Sequence, residues 1–355
     1  VRVAVTLEQC WHEVPGGTAV AALEVARRLV GPLDQVGVAA RHRKDAPAGF
    51  EPPMPVVHLP LPRLALYESW ARASWPRVES ATGPVDVVHA TTVIVPATAQ
   101  PLVVTLHDVA FLHEPAHFTA HGVRLMSAHL ARVRDRADAV LCSSLATRRD
   151  ALEYGIDETR LRHVPLGVDV VPVAVEAVEE VRRRYALHGP YAAFVGTVEP
   201  RKNLAGLLAA FDELDDDLDL VVIGPPGWGD EHEAAADRVG ARLVGFVPDA
   251  DKRALLAGAE VFCYPSLREG FGLPVLEAMA QGVPVVTSRA TSTEEVAGGA
   301  AVLVDPTDHA DIARGIAEAR ARRDELGAAG RARAAECTWD ATAARTLAAY
   351  RSVAR

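Results

Sequence analysis

This 355-residue sequence has only four cysteines, no long apolar run and fewer basic than acidic residues, 37 Lys and Arg against 47 Asp and Glu. Its four cysteines, Cys10, Cys142, Cys263 and Cys337, lie far apart without CxxC spacing. That excludes a zinc ribbon or a dense disulfide framework and fits small buried side chains in a reducing compartment. No apolar run approaches the roughly 18 residues of a transmembrane helix. The formal charge of -10 speaks against a general nucleic-acid binder, whose phosphate contacts need clustered Lys and Arg. GxGxxG is absent, so a nicotinamide-binding reading gains no support. The opening segment VRVAVTLEQC is too short and polar for a signal peptide and reads as a first strand.

What is present is the composition of a globular protein, 49% hydrophobic and 24% charged. At roughly 150 residues per domain the length predicts two domains. Charge supports the division. Residues 1–170 hold 17 Lys/Arg against 18 Asp/Glu, and the remainder holds 20 against 29. Ten of the 13 histidines fall in the first half. Short Val/Ile/Leu runs alternate with helical patterns: VRVAVTL, VGVAA, PVVHL, VDVVHA, LVVTLH and DAVLCSS, then YAAFVGT, DLVVIG, RLVGF, EVFCYPS, PVVTS and AAVLVD. Continuous apolar runs indicate parallel strands buried on both faces, and repeated strand–helix units indicate two doubly wound α/β domains. The expected division is 1–170, 171–337 and a terminal helix 338–355. In that helix Trp339, Ala343, Leu347 and Tyr350 recur on one face. The Ala/Arg-rich stretch 310–336 reads as a solvated helical surface.

Chemistry concentrates in PSLREGFGLPVLEAMAQGVPVVTS, residues 265–288. A strand runs into a loop holding Glu269, Gly270, Phe271 and Gly272. A helix is predicted to start at Leu273, with Pro274 in its first turn and Gly282 closing it. Such a helix terminus attracts anions, and glycines let them approach the backbone. Two acids, Glu269 and Glu277, would repel an anion there unless the ligand also carried hydroxyls, as a sugar nucleotide does. A second strand–loop–helix unit, VGTVEPRKNLAGLLAAF (195–211), places Arg201 and Lys202 in its loop, where two cations can neutralise a diphosphate leaving group. Opening a helix at the C-terminal edge of a parallel sheet, that loop occupies the place where such folds bind ligands. In the first half, Gly16-Gly17 opens a helix and His107-Asp108 ends a strand, with Asp108 available to orient the imidazole. His113, His117 and His121 follow at four-residue steps. Pro115 interrupts any single helix that would gather them on one metal-binding face, and the stretch reads as a His/Phe-rich loop. Trp11, Trp70, Trp75 and Tyr67 read as core aromatics ahead of sugar-stacking platforms, RHRK at 41–44 as a solvated loop, and Asp215-Asp216-Asp217 as surface.

The Glu–seven residues–Glu pattern within EGFGLPVLEAMA, followed by GVPVVTS, resembles the retaining glycosyltransferases of family 4. The resemblance implies the GT-B fold, two Rossmann-like domains facing each other across a cleft with the C-terminal helix returning to the first. It further implies that Glu269 meets the donor sugar's hydroxyls and Glu277 the ribose. Thr197, Arg201, Lys202 and the backbone of Phe271, Gly272 and Leu273 would hold sugar and diphosphate. The backbone around Gly245, Phe246 and Val247 would meet the base, Gly16 and Gly17 would approach the donor phosphates and acceptor, and His107 would lie beside the sugar.

The expected activity is transfer of a hexosyl unit, mannosyl or glucosyl, from a UDP- or GDP-sugar to a hydroxyl on a glycan, lipid or small molecule. Retention, a metal-independent reaction without cofactor and a bacterial source complete the expectation. So does a cytoplasmic location, with peripheral contact at the inner face of the membrane as a further option. Two alternatives stay open at this point, a GT-B sugar-nucleotide 2-epimerase and a non-catalytic carbohydrate-binding protein.

Overall fold

The computed structural model describes residues 1–13, 15–214, 217–225 and 233–354. The chain divides into two compact units, Val1–Leu166 with Trp339–Arg355, and Gly167–Thr338. Of the acidic run 215–217, Asp215 and Asp216 lie outside the described residues and Asp217 is exposed.

Unit 1 is built on a parallel sheet of seven strands: β1 Arg2–Thr6, β2 Asp34–Ala39, β3 Val56–His58, β4 Val87–Ala90, β5 Leu102–Leu106, β6 Ala139–Cys142 and β7 Leu161–His163. Their order in the sheet is β3-β2-β1-β4-β5-β6-β7. Unit 2 holds β8 Tyr191–Val195, β9 Asp219–Ile223, β10 Arg242–Gly245, β11 Val261–Tyr264, β12 Val285–Ser288 and β13 Val302–Val304. These run β10-β9-β8-β11-β12-β13, again all parallel. Strands β1, β4, β6, β8, β11 and β12 are almost wholly buried along their length, which is why they read as unbroken apolar runs. Each sheet reverses its winding once, between β1 and β4 and between β8 and β11. Loops leaving the C-terminal ends of such a strand pair diverge and open a crevice.

The Trp339–Val353 helix packs against the Gly17–Leu29 helix of unit 1. Trp339, Ala343 and Tyr350 are buried along the stripe expected of them. Tyr350 donates its hydroxyl to His89 Nδ1 at 2.7 Å, and His89 Nε2 meets Thr105 Oγ1 at 2.8 Å, which pins the terminal helix to the sheet by polar contacts beneath the apolar ones.

Several readings need correction. The stretch 310–336 is not a solvated surface. It forms two helices, His309–Ala321 and Arg323–Glu336, that bury Ile312, Ile316, Leu326 and Ala334. Gly327 and Gly330 let the second lie close on the Leu273–Ala280 helix: a Cβ at Gly327 would fall 2.5 Å from the Gly282 carbonyl oxygen. Gly327 and Gly330 are thus close-contact positions within a stretch read as a solvated surface. His113, His117 and His121 lie on three separate elements, Ala110–His113, Pro115–His117 and Ala120–Arg136, so the expected loop is largely helical turns. Each histidine pairs with its own carboxylate, Asp150, Glu114 and Glu68 respectively. Among the aromatics, Trp70 is buried with Tyr67 stacked on it, Trp11 stacks on His42, and Trp75 is exposed. The four cysteines form no disulfide, three of them are buried, and burial pushes the Cys10 and Cys142 thiols up to about 12. Among the described residues no helix is long and apolar enough to cross a membrane.

Two buried histidines of unit 1 are locked neutral. His129 donates from Nε2 to the Tyr67 carbonyl and accepts the Val95 N–H at Nδ1, leaving no site for a second proton. Burial lowers its pKa to about 4 and that of His89 to about 3. Unfolding frees both to protonate near their ordinary value of 6.5. Below about pH 6.5 the unfolded chain therefore binds more protons, and stability falls with pH by about 1.4 kcal/mol per unit for each histidine. Urea unfolding followed by tryptophan fluorescence should show this loss between pH 6 and 4.5, because four of the five tryptophans belong to unit 1. The H89Q/H129Q variant should have a flatter dependence; an unchanged slope would remove these two groups as its cause.

Candidate active site

The two loops singled out in the second half leave neighbouring strands at the reversal point of unit 2. After β8 the chain passes Gly196 and Thr197 into a tight turn, Pro200–Lys202. Asn203 then adopts the left-handed conformation (φ 58°) and caps the Leu204–Asp212 helix, its side chain accepting the Gly206 N–H. Its amide nitrogen donates to the carbonyls of Pro265 and Pro306, which ties this turn to the loop after β11. That turn directs both Arg201 and Lys202 at one carboxylate.

The carboxylate is Glu269. Its Oε1 accepts from Lys202 Nζ at 2.8 Å and from Tyr264 hydroxyl at 2.9 Å, and its Oε2 meets Arg201 NH1 at 3.0 Å. Lys202 also donates to the Tyr264 hydroxyl, and Arg201 Nε meets Glu199 at 2.9 Å. The Glu269 and Lys202 side chains are only 8% and 11% exposed, so this is a buried ion cluster. Burial by itself would raise the Glu269 pKa, but the charges of Lys202 and Arg201 and the hydrogen bonds it accepts override that and hold it at about 2. Burial would likewise strip Lys202 of its proton, and Glu269 more than restores it. Both partners stay ionised at neutral pH.

Immediately beyond lies the Leu273–Ala280 helix, with Pro274 in its first turn. Gly272 is its N-cap at φ 103°, and a Cβ there would lie 2.7 Å from Thr293 Cγ2. Only glycine satisfies both the angle and the space. The first-turn amides of this helix have no intrahelical acceptor and carry the positive end of its dipole. Phe271 is buried behind the turn, and Ser292 fastens the loop by donating to the Glu269 carbonyl at 2.8 Å.

Glu277, on the same helix, joins a second cluster: Lys252 Nζ lies 2.7 Å from it and 3.1 Å from Asp249. Lys252 belongs to the Asp249–Ala257 helix that follows the Gly245–Val247 turn, where Gly245 has φ 72°, Phe246 is exposed and Val247 buried. Burial would lower the Lys252 pKa, but Glu277 and Asp249 keep it raised. Sequence reasoning missed Lys252 and Tyr264. One sat in a helix read only for its backbone, and the other inside an apolar strand. The hydroxyl that Tyr264 brings to the end of the apolar run VFCY and the acid–lysine spacing of DADK were the available signals.

In unit 1, His107 directly follows β5. A carbonyl can only accept, so the 3.2 Å contact with the Thr91 oxygen puts the proton on Nε2 and leaves Nδ1 as a lone-pair acceptor. Burial lowers its pKa, which keeps the ring neutral. The expected orienting role of Asp108 is not what the structure shows: its carboxylate accepts the Ala110 N–H at 3.0 Å, and Thr91 fixes the ring. His107 also lines a cavity of about 30 Å³ with His89, Thr91, Thr105 and Tyr350. Gly16 caps the Gly17–Leu29 helix, and a Cβ at either Gly16 or Gly17 would meet nothing within 4 Å. Packing inside the protein does not demand glycine there.

Two family descriptions between them match most of the chain. Residues 15–171 match Glycosyltransferase Family 4 and residues 179–333 match Glycosyl transferases group 1. O-antigen chain mannosyltransferase B of Escherichia coli is 33% identical over 281 residues, covering 75% of this chain and 74% of its own. The MMP alpha-(1->4)-mannosyltransferase of Mycolicibacterium hassiacum is 35% identical over 240 residues, covering 63% and 56%. In fold, the chain is similar to Anabaena HepE, solved in complex with UDP and glucose, at a TM-score of 0.77 and 18% identity over 99% of both chains. The chain belongs to the family 4 glycosyltransferases and has the GT-B fold. It is a glycosyltransferase by that membership.

The buried cluster sets a stability test. Replacing Lys202 with Met leaves Glu269 short of its closest cation and should destabilise unit 2 by about 3 kcal/mol at pH 7, the usual loss on breaking a buried pair. Glu269→Gln alone strands Lys202 in the same way. The double variant should lose clearly less than the two single losses added; strict additivity in chemical denaturation would show that the pair is not coupled.

Proposed function

We propose that the chain transfers a hexosyl unit from a nucleoside diphosphate sugar to a hydroxyl acceptor with retention at the anomeric carbon. The observation that carries this reading is the convergence of Arg201, Lys202, Glu269 and the Leu273–Ala280 helix terminus at the reversal point of one parallel sheet. Cations and helix amides suit a diphosphate, while ionised carboxylates beside them suit hydroxyls. A ligand carrying both groups satisfies the whole set. The naming of the Escherichia coli and Mycolicibacterium relatives as mannosyltransferases, and the UDP and glucose bound in HepE, support a hexose and a nucleotide donor.

In the proposed reaction the bond between the sugar's anomeric carbon and the diphosphate oxygen breaks, and the electron pair leaves with the diphosphate. Arg201, Lys202, and the amides of Phe271, Gly272 and Leu273 take up that charge, which supplies by protein groups what a metal would otherwise provide. The acceptor hydroxyl adds to the same face of the sugar and passes its proton to the departing oxygen. Glu269, held ionised, accepts a sugar hydroxyl and stabilises the positive character that develops on the ring. Tyr264 and Ser266 fix its rotamer, so little reorganisation is needed. In this reading Thr197, in the loop between β8 and the Arg201–Lys202 turn, contacts the donor, Glu277 receives the ribose hydroxyls while bound to Lys252, and the backbone at Gly245–Val247 receives the base. His107 offers its Nδ1 lone pair to a sugar hydroxyl and, being neutral, does not repel the developing cation. The open space at Gly16 and Gly17 admits phosphate or acceptor oxygens. UDP- and GDP-hexoses are the proposed donors.

Glu269→Gln should lower kcat by at least about 100-fold, the scale expected when a transition-state electrostatic contact is lost. KM for the donor should move far less. Arg201→Ala should weaken UDP or GDP binding in calorimetry. Product anomers read by NMR should match the donor's anomeric configuration. Full turnover by the E269Q enzyme, or an inverted product, would overturn the mechanism.

A further inference from the structure

Unit 1 contains a second charged pocket, at the opposite end of its sheet from His107. A cavity of about 210 Å³ is lined by Ser74, Arg77, Pro96, Thr98, Arg132 and Arg136, among others. Leu102, the first residue of β5, forms part of the same wall, whereas His107 follows that strand's last residue. The intervening five residues extend about 17 Å, so nothing bound in this cavity reaches His107 directly.

Three arginines line this pocket, and no carboxylate is among its lining residues. Arg132 donates from NH2 to Ser74 Oγ at 2.7 Å, and Arg136 from NH2 to the Thr98 carbonyl at 3.3 Å. Among the described residues neither meets a carboxylate, and nor does Arg77. Other arginines of this protein do meet carboxylates, as Arg27 and Arg28 do with Glu24 and Arg322 does with Glu318 and Glu325. The Arg132 Nε is buried and has no hydrogen-bond partner. Burial and the like charge of Arg136 both press on its guanidinium and lower its pKa.

The Ala120–Arg136 helix explains part of this, since cations near a helix C-terminus are favoured by its dipole. It does not explain Arg77, which comes from a different segment, nor a buried donor left open beside a cavity with room for several waters of roughly 30 Å³ each. Arg132 and Arg136 stand four residues apart, where like charges repel. The carboxylate of Glu79 braces the same 98–100 loop, accepting from Thr98 Oγ1 and the Ala99 and Gln100 amides, but it does not line the cavity. A tetrahedral dianion or monoanion supplies what the arrangement lacks: charge between the guanidiniums and acceptor oxygens for their open N–H groups.

We propose that the Arg77–Arg132–Arg136 pocket is a binding site for a phosphate group, separate from the transfer site. The phosphate comes either from a small soluble phosphate or from an anionic lipid headgroup. The site is independent of the proposed transfer mechanism and occupies none of its residues.

The test compares the wild-type chain with R132Q/R136Q and, separately, with R77Q, an exposed position whose replacement leaves the core untouched. Calorimetry with inorganic phosphate, at matched ionic strength in chloride, measures the soluble arm. Co-sedimentation with phosphatidylglycerol vesicles, against phosphatidylcholine vesicles alone, measures the lipid arm. At least about a tenfold loss of phosphate affinity in both variants assigns a soluble phosphate. Loss of the phosphatidylglycerol-specific binding in both, with no phosphate response in the wild type, assigns a headgroup. Circular dichroism confirms that each variant is folded, and R77Q alone decides the matter if the double variant is not. Phosphate and vesicle binding equal in the wild type and the folded variants overturns the proposal.

Discussion

A carboxylate enclosed by two cations and a phenol governs the second unit. Glu269 cannot be buried alone: an ionised carboxylate in a low-dielectric interior takes up a proton unless its charge is matched. Lys202 cannot be buried alone for the converse reason. Each makes the other tolerable, and together with Arg201 they form a set whose charges are balanced closely enough to survive burial. The elements around them serve this balance. The left-handed Asn203 turns the chain so that two consecutive basic residues face the same carboxylate, and Gly272 allows the following helix to begin within reach of it.

The placement follows from topology. In both units the sheet reverses direction at its centre, and the segments with chemical character leave the strands at or beside that reversal: 196–203 and 265–273 in unit 2, and 7–17, 91 and 107 in unit 1. Parallel sheets deliver every strand's C-terminal end to one edge, so residues distant in sequence meet there without any long loop. Lys202 and Glu269, 67 positions apart, are joined by two short turns from adjacent strands. Family 4 membership and this geometry are therefore two views of one arrangement.

Much of this was legible in the residues. Strands sealed on both faces leave continuous apolar runs, and a glycine–proline start marks a helix terminus, so the sheets, the Leu273 start and the Arg201–Lys202 loop could all be read in advance. The remainder depends on tertiary partners that leave no local trace. Strand β7, Leu-Arg-His, is too short and too charged to show a pattern. Lys252 looks like a surface lysine until Glu277 is brought beside it. The glycines and alanines of 310–336 carry no hydrophobic signal, yet their smallness is what allows two helices to touch. Asp108 looked like the natural partner of His107, but the backbone of an adjacent strand reached the ring first.

Unit 1 is assembled from both ends of the chain, with all of unit 2 lying between them in sequence. Vectorial synthesis on a ribosome thus presents the seven-stranded sheet long before Trp339–Val353 emerges to cover it. Until then His89 lacks the phenol that occupies its Nδ1, and the apolar groove along Gly17–Leu29 is open to solvent. The second unit, contiguous from Gly167 to Thr338, is under no such delay, so the half that begins later in translation is the first that can finish.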